Sequence, residues 1–248
     1  MTKLSVNVNK VALLRNTRDL NIPNVLKAAE TAVKAGAHGI TVHPRPDQRH
    51  IRPPDVFEIV EFLRTQPGIE FNIEGNPFPE FMQIVRRARP DQCTLVPDSP
   101  DQSTSDHGWN LRQDSERLKS VIAELHQIGC RVSLFMDPDI GQIQFVPATG
   151  ADRIELYTQP YAEAFGRGDA GRVWIQYRDA AKAAQGLGLG VNAGHDLNLD
   201  NLPKFLEISG IAEVSIGHAL IADALDMGLY NAVRAYLNRL MTPSLRSQ

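Results

Sequence analysis

Residues 4–12, LSVNVNKVA, decide between the two fold classes that this chain's alternation of strands and helices allows. The segment starts as a β-branched strand, predicted over Leu4–Asn9, and no glycine follows it. An open doubly wound sheet usually carries a glycine-rich phosphate-binding turn directly after its first strand. The absence of that turn favours the other arrangement of alternating strands and helices, the closed (β/α)8 barrel.

Seven further strand candidates follow, and helical patterns lie between them. Helices are predicted over Asn24–Ala35 and Pro54–Arg64, and a third has apolar positions from Leu118 to Ile128. The strands read as nearly continuous apolar runs, which is typical of parallel strands covered by helices. We therefore predict an α/β fold of eight strand-then-helix units, a single-domain (β/α)8 TIM barrel with a few extra helices. The predicted strands are Leu4–Asn9, Gly39–His43, Glu70–Gly75, Gln92–Val96, Arg131–Met136, Arg153–Leu156, Gly188–Ala193 and Glu213–Gly217.

Residues 1–241 are predicted to form this one barrel, a catalytic domain, because no linker or low-complexity stretch interrupts them. The polar residues 242–248 are predicted to be a flexible tail. The segment Thr158–Arg172 is a longer connection, and its proline and glycines predict a loop over one end of the barrel.

The overall charge argues against several classes of function. Lys and Arg total 26 against 29 Asp and Glu, which gives a net charge of −3 and a pI near 6.2. That balance disfavours a broad electrostatic grip on nucleic acid or on an anionic membrane. The sequence contains no apolar run of about 18 residues and no charged-then-apolar leader. Two cysteines, Cys93 and Cys130, are too few for a disulfide framework, so we expect a cytoplasmic protein.

Polar residues interrupt the apolar strands near their ends, where a barrel carries its chemistry. Asn7 and Asn9 are predicted to share one face of the first strand because they lie two residues apart. Such amides, like Ser215 in the last strand, are more often structural hydrogen-bonding groups than ligands. The carboxylates Glu74 and Glu155 are costly in an apolar strand, so each must meet a cation or take part in catalysis.

Two loop regions are suited to phosphate. The first is residues 43–50, HPRPDQRH, in which Arg45 and His50 follow a strand, and arginine binds phosphate in a bidentate manner. The alternative is a solvated basic loop paired with Asp47. The second region has Gly194, Gly217 and a helix predicted to begin near His218, whose N-terminus suits an anion. Two such sites predict one bisphosphate substrate or two monophosphate substrates.

Acid–base groups are predicted between the two phosphate regions: His43, Glu74, Glu155 and His195. No lysine ends the second to eighth strands, which leaves a Schiff-base lysine only Lys10 as a candidate. There is no CxxC or HExxH motif, although Glu74, Glu155 and a histidine remain a conceivable metal set. A metal-dependent sugar-phosphate isomerase or epimerase and a non-catalytic phosphate-binding protein therefore stay open as alternatives.

Several separated motifs together resemble the pyridoxine 5′-phosphate synthase family of vitamin B6 biosynthesis. They are VNVN at 6–9, GITVH at 39–43, NIE at 72–74, VNAGH at 191–195 and IGHA at 216–219. The resemblance runs from Ser5 to about Leu240. It implies a TIM barrel that assembles as a homo-octamer, a tetramer of dimers, without metal or organic cofactor. It also implies condensation of 1-deoxy-D-xylulose 5-phosphate with 3-amino-2-oxopropyl phosphate to give pyridoxine 5′-phosphate, inorganic phosphate and water.

The resemblance also implies roles for named residues. His43 and Glu74 match the family's proton acceptors, His195 its proton donor, and Glu155 the group that stabilises positive charge on an imine. The residues implied in substrate binding are Arg45, His50 and Thr104 for the deoxyxylulose phosphate, Asn7 and Arg18 for the amino ketone phosphate, and Gly217 and His218 for the phosphate group of the latter. Residues 103–106 match a mobile active-site lid.

The chain departs from the family's commonest pattern at a few positions. Asn9 and Lys10 stand where Asp-His is frequent, and Lys10 keeps a cation there. Asp196 stands where glycine is frequent, and we expect its backbone rather than its carboxylate to face substrate. Residues 157–160, YTQP, replace a His-Thr-Gly type of run.

Overall fold

The computed structural model describes residues 1–100, 102 and 104–241. Eight parallel strands pair in sequence order, and β8 pairs with β1, so the sheet closes into a barrel. The (β/α)8 prediction is confirmed, and the doubly wound alternative is excluded. The strands are β1 Lys3–Asn7, β2 Gly39–Val42, β3 Glu70–Gly75, β4 Gln92–Leu95, β5 Arg131–Met136, β6 Arg153–Tyr157, β7 Gly190–Gly194 and β8 Ile211–Ile216.

Helices cover the outside of the barrel, and short extra helices follow β5, β6 and β7. No helix of the described ranges is long and apolar enough to cross a membrane. The predicted tail, 242–248, and Ser103 of the predicted lid lie outside the described residues. The helices are α1 Asn9–Arg15, α2 Val25–Lys34, α3 Pro53–Leu63, α4 Pro79–Ala88, α5 Leu111–Gln127, α6 Ile140–Ile143, α7 Val146–Thr149, α8 Gln159–Gly166, α9 Ala170–Gly186, α10 Leu202–Phe205, α11 His218–Met227 and α12 Leu229–Met241.

Local signals explain most helix starts. The side chain of Asn24 accepts a hydrogen bond from the Lys27 amide at 2.8 Å, so α2 begins directly after it. Proline occupies the first turn of α3 and α4, where its missing N–H costs no hydrogen bond. Six of the predicted strands differ from the observed ones by one or two residues at an end, and one difference concerns the site: Asn9 is the first residue of α1 rather than part of the first strand.

The segment Thr158–Arg172 is not the predicted loop. It forms α8 and the start of α9, with Pro160 in the first turn of α8. Tyr161 of α8 is fully buried and packs against the rings of Tyr177 and Phe205. Burial of this aromatic ring stabilises the helix, and Pro160 is compatible with it because a proline in the first turn costs no helical hydrogen bond.

The strands are not continuous apolar runs, contrary to the prediction. Apolar residues face the helices, and polar residues alternate with them and face the barrel interior. Contacts between strands that are not neighbours prove this orientation. The Gln92 amide on β4 donates to Glu213 on β8 at 3.3 Å, and Thr94 on β4 contacts Glu155 on β6 at 3.4 Å. Such contacts are possible only across the inside of a closed barrel.

The interior polar groups bond to one another in a ladder. The hydroxyls of Ser5 and Thr41 lie 2.6 Å apart, and the Asn72 amide donates to Thr41 at 3.3 Å. The Thr94 hydroxyl lies 3.1 Å from the Asn72 carbonyl oxygen. This arrangement satisfies buried groups that would each cost about 1–3 kcal/mol if they were left unpaired.

Ion pairs lie at the N-terminal end of the barrel. Glu70 bonds to both Lys3 and Arg131, and Arg131 also donates to the Gln92 side-chain oxygen at 2.9 Å. These charged groups lie at the end of the barrel opposite the C-terminal ends of the strands, where the catalytic residues are predicted.

A buried ion pair ties α1 to α3. Arg15 donates from both terminal nitrogens to Asp55, at 2.6 and 2.8 Å, and each residue is less than a tenth exposed. Arg15 also donates to the His50 carbonyl oxygen at 3.3 Å. The pair thereby anchors the loop that follows β2.

Asp55→Asn is expected to destabilise the protein by about 3–5 kcal/mol, because it leaves the Arg15 charge buried without its partner. The free energy of unfolding in urea measures this. Glu61→Gln, on the exposed side of the same helix where Glu61 pairs with Arg64, is the matched control and should cost less than about 1 kcal/mol. Equal losses in the two variants would contradict a structural role for the Arg15–Asp55 pair.

Candidate active site

A cavity of 570 Å³ opens at the carboxyl end of the barrel strands. Every residue predicted for the site lines it except Arg18. The lining residues are Asn7, Asn9, Lys10, Leu13, His43, Arg45, Arg49, His50, Glu74, Val96, Thr104, Ser105, Phe135, Glu155, Gln159, His195, Asp196, Ser215, Gly217 and His218. Strands from all round the barrel therefore bring their terminal residues to one place, as the sequence predicted.

Two buried carboxyl groups form the floor of the cavity. Glu74 ends β3 and Glu155 lies in β6, and both are less than a tenth exposed. Burial raises the pKa of Glu74 well above its ordinary value, and the neighbouring Glu155 raises it further. Burial likewise raises the pKa of Glu155 to about 8. Both shifts favour the protonated, uncharged form of these carboxyl groups.

Gly194 on β7 makes room for one of these carboxyl groups. A Cβ atom at this position would lie 2.2 Å from the Glu155 carboxyl oxygen Oε1. The glycine therefore allows Glu155 to lie against the backbone of the neighbouring strand.

Two histidines lie on the other side of the cavity. The rings of His43 and His50 are 5.9 Å apart and meet edge to face. Burial lowers the pKa of His43 well below its ordinary value, and the nearby His50 and Arg45 charges lower it further. Burial is also the main cause that lowers the pKa of His50 to about 4. The two imidazoles are therefore neutral at pH 7 and available to accept protons.

His43 is held in place by Asn9, the residue that was predicted in the first strand but belongs to α1. The Asn9 side-chain oxygen accepts a hydrogen bond from the His43 amide at 2.8 Å. The Asn7 side-chain oxygen in turn accepts from the Asn9 amide at 3.0 Å, and its nitrogen lies 3.5 Å from Glu74. Both asparagines therefore make structural hydrogen bonds, and both also line the cavity.

His195 lies in a left-handed backbone conformation. Its φ is +85°, and that of Asp196 is +59°, a region that non-glycine residues rarely adopt. The Thr158 hydroxyl contacts the His195 carbonyl oxygen, and the Asn201 side chain donates to the Asp196 carbonyl oxygen at 3.0 Å. Burial lowers the pKa of His195, and the adjacent Asp196 charge opposes that shift.

The first predicted phosphate region is only partly open to a ligand. Arg45 is 4% exposed and donates to Asp98 at 2.7 Å and to the carbonyl oxygens of Ser99 and Gln102 at 3.1 and 2.5 Å. The Ser105 hydroxyl donates to the same Asp98 oxygen at 2.7 Å. Arg45 therefore holds the loop after β4 as well as lining the cavity.

The second predicted phosphate region lies at the N-terminus of α11. The helix begins at His218, as predicted, and Gly217 precedes it. A Cβ atom on Gly217 would come within 3.1 Å of the Asn7 side chain. The first-turn N–H groups of a helix have no partner within it, which suits them to an anion.

Arg18 lies elsewhere. It follows α1, is exposed, and does not line the cavity. Its contact with a substrate stays a prediction. Thr104 lines the cavity with an exposed side chain, and the mobility of the lid, which includes Ser103, likewise stays a prediction.

Two apolar residues and one glutamine of the cavity lining are not predicted from the sequence. Phe135 and Val96 read as core residues because they stand in apolar strands, and Gln159 was placed in the predicted loop. One signal in the sequence could have identified Phe135 as a lining residue. Phe135 and Glu155 are each the next-to-last residue of their predicted strands, and in the structure they pair in register, so they lie in the same layer of the barrel.

Among the described residues, no group of three His, Cys, Asp or Glu side chains is placed to hold a metal ion. Glu74 and Glu155 nevertheless lie close enough to influence each other.

A closed barrel with buried carboxyl groups and neutral imidazoles at its carboxyl end defines a TIM-barrel enzyme with an acid–base site. Its fold is similar to solved structures at low sequence identity. The structure described as native KDPGal aligns with a TM-score of 0.62 at 13% identity, covering 96% of each chain. Phosphoribosyl anthranilate isomerase from Thermus thermophilus aligns with a TM-score of 0.58 at 16% identity, covering 97% of this chain and 98% of that one.

The family follows from the sequence comparisons. The family model described as pyridoxal phosphate biosynthesis protein PdxJ matches residues 4–242, and the chain belongs to this family. The pyridoxine 5′-phosphate synthase of Albidiferax ferrireducens is 54% identical over 95% of this chain and 96% of its own length. That of Porphyromonas gingivalis is 51% identical over 97% of this chain and 99% of its own. The family resemblance read from the motifs is confirmed.

The pKa of Glu155 makes stability depend on pH. The unfolded chain ionises this carboxyl near 4.5, whereas the folded protein keeps it protonated to about 8. Unfolding therefore releases a proton between these values, and the stabilising contribution falls as pH rises, by up to about 1.4 kcal/mol per pH unit. Glu155→Gln should remove this slope.

The free energy of unfolding in urea, measured for the wild type and for Glu155→Gln at several pH values between about 5 and 9, tests this prediction. The contribution of Glu155 is the difference between the two proteins at each pH. Buried neutral histidines change stability in the opposite direction near pH 6, but they are common to both proteins and cancel in the difference. Parallel curves for wild type and variant would contradict the assignment of a protonated Glu155.

Proposed function

We propose that this barrel is a pyridoxine 5′-phosphate synthase. It condenses 1-deoxy-D-xylulose 5-phosphate with 3-amino-2-oxopropyl phosphate and closes the pyridine ring, releasing inorganic phosphate and water. Membership of the family supports the reaction. The observation that carries the proposal is the convergence of His43, Glu74, Glu155 and His195 on one cavity that also reaches the N-terminus of α11.

The protonation states of the site support acid–base chemistry with a nitrogen nucleophile. The amine of the substrate forms the imine with the ketone of its partner, so the protein needs no Schiff-base lysine. His43 is buried and neutral, and it is the group ready to accept a proton from the condensing carbons.

Glu155 and Glu74 change state when substrate binds. An iminium charge beside Glu155 favours the carboxylate over the acid, because an opposite charge lowers the pKa of a carboxyl group. Glu155 then stabilises the developing cation, and Glu74, once ionised, accepts a proton. His195 acts as proton donor, supported by the Asp196 charge that opposes the lowering of its pKa.

Substrate phosphates are assigned to the two loop regions. Arg45, His50 and Thr104 bind the sugar phosphate, and Asn7 and Arg18 bind the amino ketone phosphate. Gly217, His218 and the backbone at Asp196 surround the phosphate group of the latter. Backbone N–H groups at the start of α11 and the cation of Lys10 provide the favourable charge.

We also propose a cytoplasmic homo-octamer, built as a tetramer of dimers. Exposed apolar side chains support self-association, since Leu20 is 60%, Ile22 63% and Leu225 78% exposed in the single chain. The thiols of Cys93 and Cys130 are buried and unpaired, which suits a reducing compartment. Sedimentation velocity should give a species of eight chains, and a monomer at micromolar concentration would contradict the assembly.

The function is tested by mixing the purified protein with both phosphorylated substrates in the presence of a chelator. Pyridoxine 5′-phosphate, followed by absorbance, and inorganic phosphate, followed by a coupled colour reaction, should appear in equal amounts. Loss of both products on chelation would show that the condensation needs a metal ion and would contradict the metal-free reaction. Binding of both substrates without either product would overturn the proposed reaction.

Glu74→Gln is expected to lower kcat by at least about 10²-fold with little change in KM, because a general base contributes about 10²–10⁴-fold. Steady-state kinetics with both substrates measures this. Glu61→Gln is the control, since Glu61 pairs with Arg64 on the exposed side of α3 and does not line the cavity. A Glu74 variant within threefold of wild type would remove this residue from the mechanism.

A further inference from the structure

The ring of His195 is surrounded by aromatic side chains. Within the described part of the chain, no residue forms a hydrogen bond with its ring nitrogens, although its backbone is well anchored. The Tyr157 ring lies 5.4 Å from it at an interplanar angle of 77°, and the Phe135 ring lies 5.9 Å away at 61°. Both contacts are edge to face, the geometry that aromatic pairs prefer.

These rings form a small unit separate from the main core. Phe135 and Tyr157 also pack on each other, at 5.4 Å, and together with Val96 they make a second buried apolar cluster. Phe135 is 2% and Tyr157 5% exposed, so the two rings are firmly enclosed. His195 therefore rests on a rigid apolar surface at the mouth of the barrel.

Tyr157 is fixed at both ends. Its backbone carbonyl oxygen accepts a hydrogen bond from the Tyr177 hydroxyl, and its own hydroxyl donates to the Gln159 side-chain oxygen at 2.6 Å. Gln159 in turn donates to Glu163 of α8 at 2.8 Å. The next residue, Thr158, contacts the His195 carbonyl oxygen, so residues 157 and 158 restrain both the ring and the backbone of His195.

We propose that Tyr157, together with Phe135, is a positioning residue that fixes the imidazole of His195 for proton donation and keeps water from its faces. The inference rests on the proposed function. It adds a role for a position at which this chain departs from the commonest family pattern. The aromatic ring carries the role, and the phenol hydroxyl serves to hold that ring against α8.

We expect two effects when the aromatic ring of Tyr157 is removed, and loss of a residue with a purely structural role would not cause both. The imidazole gains freedom, which lowers kcat more than it changes KM, because misplacement by about 1 Å costs about 10²-fold. Water also reaches the imidazole, so its lowered pKa rises towards the ordinary 6.5, since burial is the main cause of the lowering.

The experiment compares Tyr157→Leu with Tyr157→Phe. NMR titration of protein labelled with ¹⁵N in its histidine rings, with His195→Gln to assign the signal, measures the pKa of His195. Tyr157→Leu should raise this pKa and lower kcat by about 10- to 100-fold with KM within threefold. Tyr157→Phe should stay within threefold of wild type in kcat, because it keeps the ring.

Tyr236→Leu is the matched control. Tyr236 is also a fully buried tyrosine with a hydrogen-bonded hydroxyl, 2.7 Å from Asp223, but it belongs to α12 and does not line the cavity. The control should lose stability without moving the pKa of His195. The proposal is overturned if Tyr157→Leu leaves both pKa and kcat unchanged, or if Tyr236→Leu shifts them equally.

Two further arms keep the outcome decisive. Phe135→Leu removes the other ring and should shift the pKa of His195 in the same direction, which tests the proposal if Tyr157→Leu does not fold. The NMR titration measures the pKa of His195 without catalytic turnover, so it does not depend on the proposed reaction. If the wild-type protein makes no pyridoxine 5′-phosphate, the proposed function fails, whereas an unchanged pKa in both ring variants overturns the positioning role alone.

Discussion

The structure depends on hydrogen bonding among polar side chains enclosed by the barrel. A parallel barrel usually fills its interior with branched apolar residues. Here amides, hydroxyls and carboxyl groups occupy it, and they bond across the lumen, as Gln92 does with Glu213 and Thr94 with Glu155. Because each of these groups needs a partner, the strand register and the identities of the interior residues specify one another.

The same enclosure determines the electrostatics of the site. Burial, which is costly for a charge, raises the pKa of Glu74 and Glu155 and lowers that of His43 and His50. Each of these shifts favours the uncharged form of a group that lines the cavity. In the proposed reaction the charged substrates bind at the rim, at the loop after β2 and the N-terminus of α11, so that binding and proton transfer use different layers of the barrel.

The sequence predicts the barrel because eight strands with helices between them leave few alternatives, and β3 and β5 are predicted to the residue. Site residues such as Glu74 and His195 are found because polar groups at strand ends converge in this fold. The helix α8 is missed, since the proline and glycines of this segment are also typical of loops and the burial of Tyr161, which stabilises the helix, depends on the folded protein. The surroundings of Arg45 and the contact of Tyr157 with His195 are equally hidden, because residues distant in sequence create them.

The pairing of Arg45 with Asp98 has a consequence for how tightly this enzyme holds its sugar substrate. Arg45 is not a solvated cation. A phosphate that binds it must replace the carboxylate of Asp98 and the carbonyl oxygens of Ser99 and Gln102 as hydrogen-bond acceptors. The affinity gained is only the difference between two ion pairs. In the proposed binding mode, such an exchange weakens the complex enough to release a product that still carries a phosphate, and it links binding of the phosphate to the conformation of the loop after β4.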